Sequence, residues 1–286
     1  MRKLYCKQAN NIRSNQNVFL LVGLIFFSVF FLSGCVNKNS SVKNESSLNS
    51  GPTAIPTKSV EENVKEGPFV SMIPTSDGHW ITLEIKNLPK GAFGIEYDLI
   101  YFSDLGESKI EKGISTGGKP VELNGATEYI KKVLFGSASC TTGTCKYKYD
   151  ENVNEGSLTL KVIDQNSSKY ETVFRIQKGN EAKSDGLTTG DGIFTLTSST
   201  LSAKELYLTV STIGIPLKLP NGLAAKSAPY GIFPYPTGKV EVSFKTAEEG
   251  DIYAYDGKAW TKLQTKAEDG LIKASATGYF LFILAK

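Results

Sequence analysis

Hydrophobic and polar residues alternate along much of the chain after residue 68. In residues 79–86, Ile81, Leu83 and Ile85 occupy every second position, and polar residues stand between them. A period of two, bounded by polar turn residues, is typical of half-buried strands. We therefore predict an antiparallel all-β fold for this region. Further segments with the same period are residues 95–101, 158–163 and 170–176.

The C-terminal third continues this pattern. Asp256-Gly257 and Asp269-Gly270 each separate two short alternating runs, which is among the stronger short-range hairpin signals. Residues 279–284 are continuously apolar and predict a buried last strand. Residues 128–134 fit a helix or a strand, and no other segment predicts a helix longer than a turn or two. Further predicted strands are residues 193–196, 205–210 and 239–244.

The strands divide into two groups, which predict two tandem β-sandwich domains over residues 68–180 and 181–286. The Gly-rich residues 179–192 are a linker or the opening turns of the second domain. The first group, with Trp80 near an early strand and Tyr97, Leu99 and Tyr101 alternating later, resembles immunoglobulin or fibronectin type III modules. It departs from true immunoglobulin domains because Cys140 and Cys145 are too close in sequence to bridge two sheets.

The N-terminus has the features of an export signal. Basic residues precede an apolar run over residues 18–32, which is shorter than the roughly 20 residues that a membrane-spanning helix needs. The run ends in Leu32-Ser33-Gly34-Cys35, which closely resembles the lipobox of bacterial lipoproteins. The alternative is an uncleaved anchor helix that happens to end near a cysteine.

The lipobox resemblance implies a signal peptide over residues 1–34 that is cleaved just before Cys35. The Cys35 thiol would carry a diacylglyceryl group, and its new amino group a fatty acid such as palmitate. Two or more acyl chains anchor a protein stably. We thus expect a lipid-anchored protein on the extracytoplasmic face of a bacterial membrane, periplasmic or at the cell surface. Residues 35–67 are rich in Asn, Ser, Lys, Glu and Pro, which predicts a disordered linker.

Cleavage would also change the charge of the protein. The chain has 32 Lys and Arg against 29 Asp and Glu, and four of the basic residues lie in the predicted signal. The mature chain would therefore have 28 against 29, a net charge of −1. Because no broad positive charge remains, nucleic acid is not an expected partner.

The remaining cysteines, Cys140 and Cys145, surround a short Gly-containing segment. In an exported protein, such a pair is most simply a disulfide that pins a hairpin or loop. Metal binding needs more ligands than two thiols, and the only histidine, His79, is far away in sequence.

Catalytic motifs are missing from the sequence. His79 follows Asp77-Gly78 at the start of a strand, where a solvated turn histidine is expected, and no nucleophile motif accompanies it. A glycoside hydrolase would need convergent carboxylates, whereas the acidic residues mostly occupy outward strand positions or turns. We therefore expect no enzymatic activity.

Two loops carry candidate binding residues. Asp185 and Asp191 lie in an acidic, glycine-rich loop that predicts either plain turns or a structural calcium site, the only cofactor considered. In the proline-rich residues 228–238, the rings of Tyr230, Phe233 and Tyr235 either cap the core or form a surface that stacks on sugars or docks a protein.

The sequence thus predicts a non-enzymatic envelope lipoprotein whose β-sandwich domains bind an envelope glycan or protein or take part in envelope assembly. One alternative is a structural spacer or assembly component that pairs through an exposed strand edge. Another is a carbohydrate-active hydrolase with accessory β domains.

Overall fold

The computed structural model describes Val64 and residues 67–286, which belong to one compact unit. The predicted signal peptide, Cys35 and almost all of the predicted linker lie outside the described residues. Among those described, no helix combines the length and hydrophobicity that crossing a membrane requires.

The described chain folds into antiparallel sheets. A three-stranded sheet contains, in spatial order, β1 (Phe69–Pro74), β2 (Trp80–Lys86) and β6 (Tyr129–Leu134). A five-stranded sheet contains β11 (Leu187–Thr188), β12 (Phe194–Thr197), β15 (Lys239–Lys245), β19 (Leu271–Thr277) and β18 (Thr265–Glu268). A separate hairpin is formed by β7 (Gly136–Thr141) and β8 (Thr144–Tyr149).

A ten-stranded sheet runs through the whole unit. Its nine-strand path is, in spatial order, β17 (Trp260–Lys262), β16 (Asp251–Tyr255), β20 (Leu281–Ala285), β14 (Tyr230–Phe233), β13 (Leu206–Ser211), β10 (Ser168–Lys178), β9 (Glu155–Ile163), β3 (Gly94–Leu105) and β4 (Ser108–Ser115). The short strand β5 (Val121–Glu122) also pairs with β3.

Two hydrophobic cores lie against this sheet. The first contains residues of β3, β9 and β10 together with the inward side chains of the three-stranded sheet, such as Ile81 and Leu83. The second lies between the five-stranded sheet and β13, β14, β16 and β20, and contains residues such as Phe194 and Phe244. Each core is thus enclosed by two sheet layers, as in a β-sandwich.

The last strand, β20, contributes to both cores. Leu281 and Ile283 belong to the first core, whereas Phe282 and Leu284 belong to the second. Since successive side chains of a strand point to opposite faces, a strand covered on both sides must be apolar throughout. The prediction of a buried last strand is confirmed.

The predicted all-β antiparallel class is also confirmed. Of residues 128–134, Tyr129–Leu134 form a strand, β6, and the only helix in the described part is one turn, α1 (Ala182–Asp185). Both predicted Asp-Gly hairpins are present, as β16–β17 and β18–β19. The predicted boundary at residue 180 assigns β10 to the first domain and β13 to the second. These two strands are hydrogen-bonded neighbours in the ten-stranded sheet. The two predicted domains would therefore share one sheet, and their division stays a prediction.

Candidate functional site

The β7–β8 hairpin extends from the body of the protein. All of its residues are exposed except Gly136 and Cys145, which are half-buried. Thr142 and Gly143 connect the strands with φ values of 42° and 86°. Positive φ at both central residues is characteristic of a type I′ turn, whose twist matches that of the two strands.

A disulfide joins the two strands next to this turn, as the sequence predicted. Cys140 and Cys145 are register partners, and their Cα atoms lie 4.1 Å apart. Because a two-stranded hairpin without a hydrophobic face is marginally stable by itself, the covalent link helps keep the strands paired.

A buried group of side chains fixes the base of the hairpin. Phe135, directly before β7, is fully buried and its ring centroid lies 4.7 Å from that of Tyr101. The Tyr101 hydroxyl donates to Asp150 Oδ2 at 2.7 Å, and Lys112 forms an ion pair with the other carboxylate oxygen. Burial raises the pKa of Tyr101, and the Asp150 carboxylate raises it further. The hydroxyl therefore stays protonated and acts as a donor. The hairpin therefore leaves the protein from a fixed base.

Glycine is required at the first residue of β7. Gly136 has a φ of 144°, and a Cβ atom there would lie 2.1 Å from the carbonyl oxygen of Lys148. No side chain fits so close to a backbone atom. Gly136 thus allows the close approach of β7 and β8 at the base of the hairpin.

Four aromatic side chains at the base of the hairpin form what we term the aromatic cluster. The rings of His79 and Tyr149 are stacked with centroids 3.7 Å apart, and Tyr147 is nearly parallel to Tyr149 at 6.0 Å. Trp80 meets Tyr147 edge to face at 5.5 Å. Tyr147 nevertheless remains 45% exposed. The cluster is a preformed aromatic surface that solvent can reach.

Lysines accompany the aromatic cluster. Lys146 and Lys148 alternate with the two tyrosines on β8, and Lys131 and Lys132 lie on β6. The ammonium of Lys132 lies 4.9 Å from the centroid of the Trp80 ring, a cation–π contact. We term these four exposed lysines the basic patch. The sequence contains no Asp or Glu between residues 129 and 149.

His79 lies in the turn between β1 and β2, as the sequence predicted. Its backbone N–H donates to Asp77 Oδ1 at 3.0 Å, and its Nδ1 lies 3.2 Å from Asp77 Oδ2. The Thr75 hydroxyl and the His79 backbone N–H, both donating to Asp77, lower the pKa of this carboxyl. These bonds orient the histidine ring against Tyr149.

The predicted aromatic binding loop divides into buried and exposed residues. Tyr230 and Phe233 belong to β14 and are only 1% and 5% exposed, whereas Tyr235 is 48% exposed. The Tyr230 hydroxyl donates to Asp191 Oδ2 at 2.8 Å, and the ring stacks on Phe194. Burial raises the pKa of Tyr230, with a further contribution from Asp191. Two of the three rings are therefore core residues that a surface ligand does not reach, because β14 is covered on both faces.

The predicted calcium ligands lie in different local settings. Asp185 is exposed at the end of α1. Asp191 accepts hydrogen bonds from the Thr189 hydroxyl, the Ile193 backbone N–H and the Tyr230 hydroxyl. Between residues 67 and 286 there is no group of three or more His, Cys, Asp or Glu that could hold a metal ion. Asp191 thus stabilises its own turn, and calcium binding stays a prediction.

Carboxylates also meet in one open cavity of about 380 Å³ near α1. Glu155 lies 3.1 Å from Lys109, and Glu181 lies 3.9 Å from Lys178. Glu155 and Glu181, two of the three carboxylates at the cavity, thus lie in exposed ion pairs with lysines. The charged residues lining the cavity are Lys109, Glu155, Arg175, Glu181 and Asp185.

Tyr147 and Tyr149 were not among the binding residues predicted from the sequence. The signal was present, since the alternation Lys146-Tyr147-Lys148-Tyr149 after Cys145 predicts a strand with both rings on one face. Their meeting with His79 and Trp80 depends on the packing of the hairpin beside β2. Comparisons of the chain with protein-family models, with curated proteins and with solved structures found no match.

Proposed function

We propose that the protein is a non-enzymatic lipoprotein of the bacterial cell envelope or cell surface, and that the β7–β8 hairpin binds an envelope glycan or protein. In this proposal, lipid on Cys35 anchors the chain, residues 35–67 are a tether, and the β-sandwich scaffold presents the hairpin. The immunoglobulin-like resemblance of residues 68–180 is consistent with such a scaffold role, although fold alone does not assign a function.

The anchor rests on the sequence Leu32-Ser33-Gly34-Cys35 after a basic and apolar N-terminus. Its test is labelling of the full chain with radioactive palmitate in bacterial cells. We expect Cys35→Ser to abolish both labelling and membrane retention. Cys6→Ser is the matched control, because Cys6 lies within the predicted signal peptide and should not carry lipid. If the Cys35→Ser variant is still labelled and stays in the membrane, the proposal of a lipid anchor on Cys35 is wrong.

The observation that carries the binding proposal is the exposed aromatic cluster on a fixed base. Tyr and Trp side chains have few rotatable bonds, so they form contacts with little loss of conformational entropy. They are also enriched among the residues that dominate binding energies. The disulfide and the buried Phe135–Tyr101 contact hold this surface in place before any partner arrives.

The binding proposal is tested by co-sedimentation of the full-length protein with purified cell envelope. We expect Tyr147→Ala/Tyr149→Ala to weaken binding by at least about tenfold, the equivalent of about 1.4 kcal/mol. Tyr235→Ala is the matched control, since this ring is similarly exposed but lies elsewhere. Loss of binding in the control alone would place the site in residues 228–238 instead.

Assembly through a strand edge is a second candidate function. Strand β6 pairs with β2 on one side only, and Ile130 on this edge strand is 58% exposed. Open edges can pair with a further strand, although Lys131 and Lys132 are residues that usually oppose such pairing. If assembly is the function, analytical ultracentrifugation will detect self-association that Ile130→Lys abolishes.

A further inference from the structure

The basic patch lacks internal charge compensation. Among the ion pairs of the described residues, none involves Lys131, Lys132, Lys146 or Lys148. Elsewhere on the surface, lysines such as Lys109 and Lys161 lie beside carboxylates. Two of these ammonium groups lie on the hairpin and two on β6, and together they create a local positive potential, although the predicted mature chain is close to neutral.

The two faces of the hairpin differ in chemistry. Tyr147 and Tyr149 lie on the face that meets Trp80, whereas Lys146 and Lys148 lie on the other face. Register places Ser137 opposite Lys148 and Ser139 opposite Lys146. Because both faces of the hairpin are exposed, a polymer that crosses its edge meets ammonium and hydroxyl groups on one face and aromatic rings on the other. The exposed hydroxyl residues are Ser137, Ser139, Thr141, Thr142 and Thr144.

This combination fits a charged sugar polymer better than a protein. Aromatic rings pack against the apolar C–H faces of sugars, hydroxyl groups bond to sugar hydroxyls, and lysines attract anionic substituents. Protein interfaces are enriched in Tyr, but they are depleted in Lys, Ser and Ala, which make up much of this hairpin. Lysine ammonium groups also keep strong hydration, which suits a polymer that stays in water.

We infer that the aromatic cluster and the basic patch together bind an anionic polysaccharide of the envelope, one that carries carboxylate or phosphate groups. This inference rests on the proposed binding function and names the class of its ligand. The ammonium groups supply affinity that decreases with salt, and the rings and hydroxyls distinguish a sugar chain from other polyanions.

The test measures binding of the full-length protein to soluble polymers that share one backbone. Carboxymethyl dextran and phosphate-substituted dextran are the anionic probes, and their comparison shows which anionic group is preferred. Unmodified dextran is the uncharged probe, and polyglutamate is a polyanion without sugar. The variants are Lys146→Gln/Lys148→Gln and Tyr147→Ala. The control is Lys119→Gln/Lys204→Gln, which removes two exposed lysines outside the hairpin.

The salt dependence gives the expected magnitudes. With a slope of roughly 0.7 per contact, as for a single-stranded polyanion, four lysine contacts weaken binding about 50-fold between about 50 and about 200 mM salt. The Lys146→Gln/Lys148→Gln variant, with two contacts left, should lose only about sevenfold over the same range. Its affinity at the lower salt concentration should fall by at least about tenfold, and the lysine control should match the wild type.

Other outcomes overturn the inference in distinguishable ways. Equal binding to unmodified dextran excludes a role for charge, and equal binding to polyglutamate excludes recognition of the sugar. If no polymer binds but Tyr147→Ala still weakens sedimentation with the envelope, the ligand class is wrong and the binding function stands. If neither hairpin variant affects sedimentation with the envelope, both proposals are wrong. Circular dichroism of each variant separates these outcomes from misfolding.

Discussion

Replacing Tyr101 with Phe removes one buried hydroxyl from the base of the hairpin and leaves the ring in place. That hydroxyl donates to Asp150 Oδ2 at 2.7 Å, and the Asp150 side chain is only 7% exposed. The ring still packs against Phe135. The substitution therefore isolates a hydrogen bond to a charged acceptor from the packing of the aromatic ring.

The magnitude follows from the type of bond. Hydrogen bonds to charged groups contribute roughly 1.5–3 kcal/mol to stability. Asp150 keeps its ion pair with Lys112 in the variant, so its carboxylate is not left without a partner. We expect Tyr101→Phe to lower the free energy of unfolding by about 2 kcal/mol. For a protein of this size, that corresponds to a decrease in Tm of about 4–8 °C.

A double-mutant cycle in urea tests this reasoning. Asp150→Asn removes the charge, and Tyr101→Phe/Asp150→Asn removes charge and hydroxyl together. Because the two side chains are in direct contact, we expect a coupling energy of about 1 kcal/mol. Hydrogen exchange of the β7–β8 amides should become faster in all three variants, since the base of the hairpin is loosened.

Additivity of the two substitutions would refute this account. If the two single losses sum to the double loss within about 0.5 kcal/mol, the bond makes no specific contribution. A loss below about 0.5 kcal/mol for Tyr101→Phe would likewise show that water replaces Asp150 as its partner without penalty.

Three further predictions concern the hairpin and the core beside it. Replacing Cys140 and Cys145 with Ser should cost about 2 kcal/mol, the entropy of a loop this short, and urea unfolding with amide exchange of the hairpin measures it. Gly136→Ala should distort the hairpin and weaken envelope binding, because the new Cβ would overlap a carbonyl oxygen. The control Gly113→Ala should leave stability and binding unchanged, because its Cβ would meet nothing within 4 Å. Burial and, to a smaller extent, the neighbouring Tyr97 raise the pKa of Tyr129 to about 12. The free energy of unfolding should therefore fall as pH rises from about 10 through about 12.

The sign of the alkaline prediction follows from proton binding. Between these two pH values the unfolded chain has lost the Tyr129 proton and the folded chain still holds it, so rising pH favours unfolding. Tyr129→Phe should make this decline less steep, although Tyr101 and Tyr230, whose pKa values are also raised, still contribute to it. An unchanged decline would contradict the prediction. If amide exchange in the hairpin is unaltered when Cys140 and Cys145 are replaced with Ser, strand pairing alone holds the hairpin together. For Gly136, wild-type binding by the Ala variant would show that the strands can separate at the base.

Local patterns in the sequence were enough to predict most individual strands. Residues 81–86 alternate strictly and residues 170–176 do so in part, and both lie in strands because one face of each is more buried than the other. Residues 128–134 could not be assigned, since Tyr129 and Val133 are spaced equally well for one face of a helix or a strand. Pairing with β2 decided in favour of the strand. The disulfide was predictable because its two cysteines are five positions apart and have no other candidate ligands nearby.

Most of the candidate site depended on contacts between distant segments. Tyr230 and Tyr147 are both tyrosines in alternating or apolar surroundings, yet one is buried beneath the five-stranded sheet and the other is exposed on the hairpin. The sequence does not state which strands cover which face, because a strand's environment depends on neighbours far away along the chain. The aromatic cluster likewise joins residues 79–80 to residues 147–149 only through packing.

The sequence by itself determined the all-β class, the turns and the disulfide, because each depends on residues within a few positions of one another. Only the tertiary structure decided that one ten-stranded sheet passes through both halves, that β20 divides its side chains between two cores, and that Tyr147 stands beside Trp80. The physical reason is that periodicity specifies how many faces of a strand are apolar, whereas burial and exposure depend on which partner covers each face.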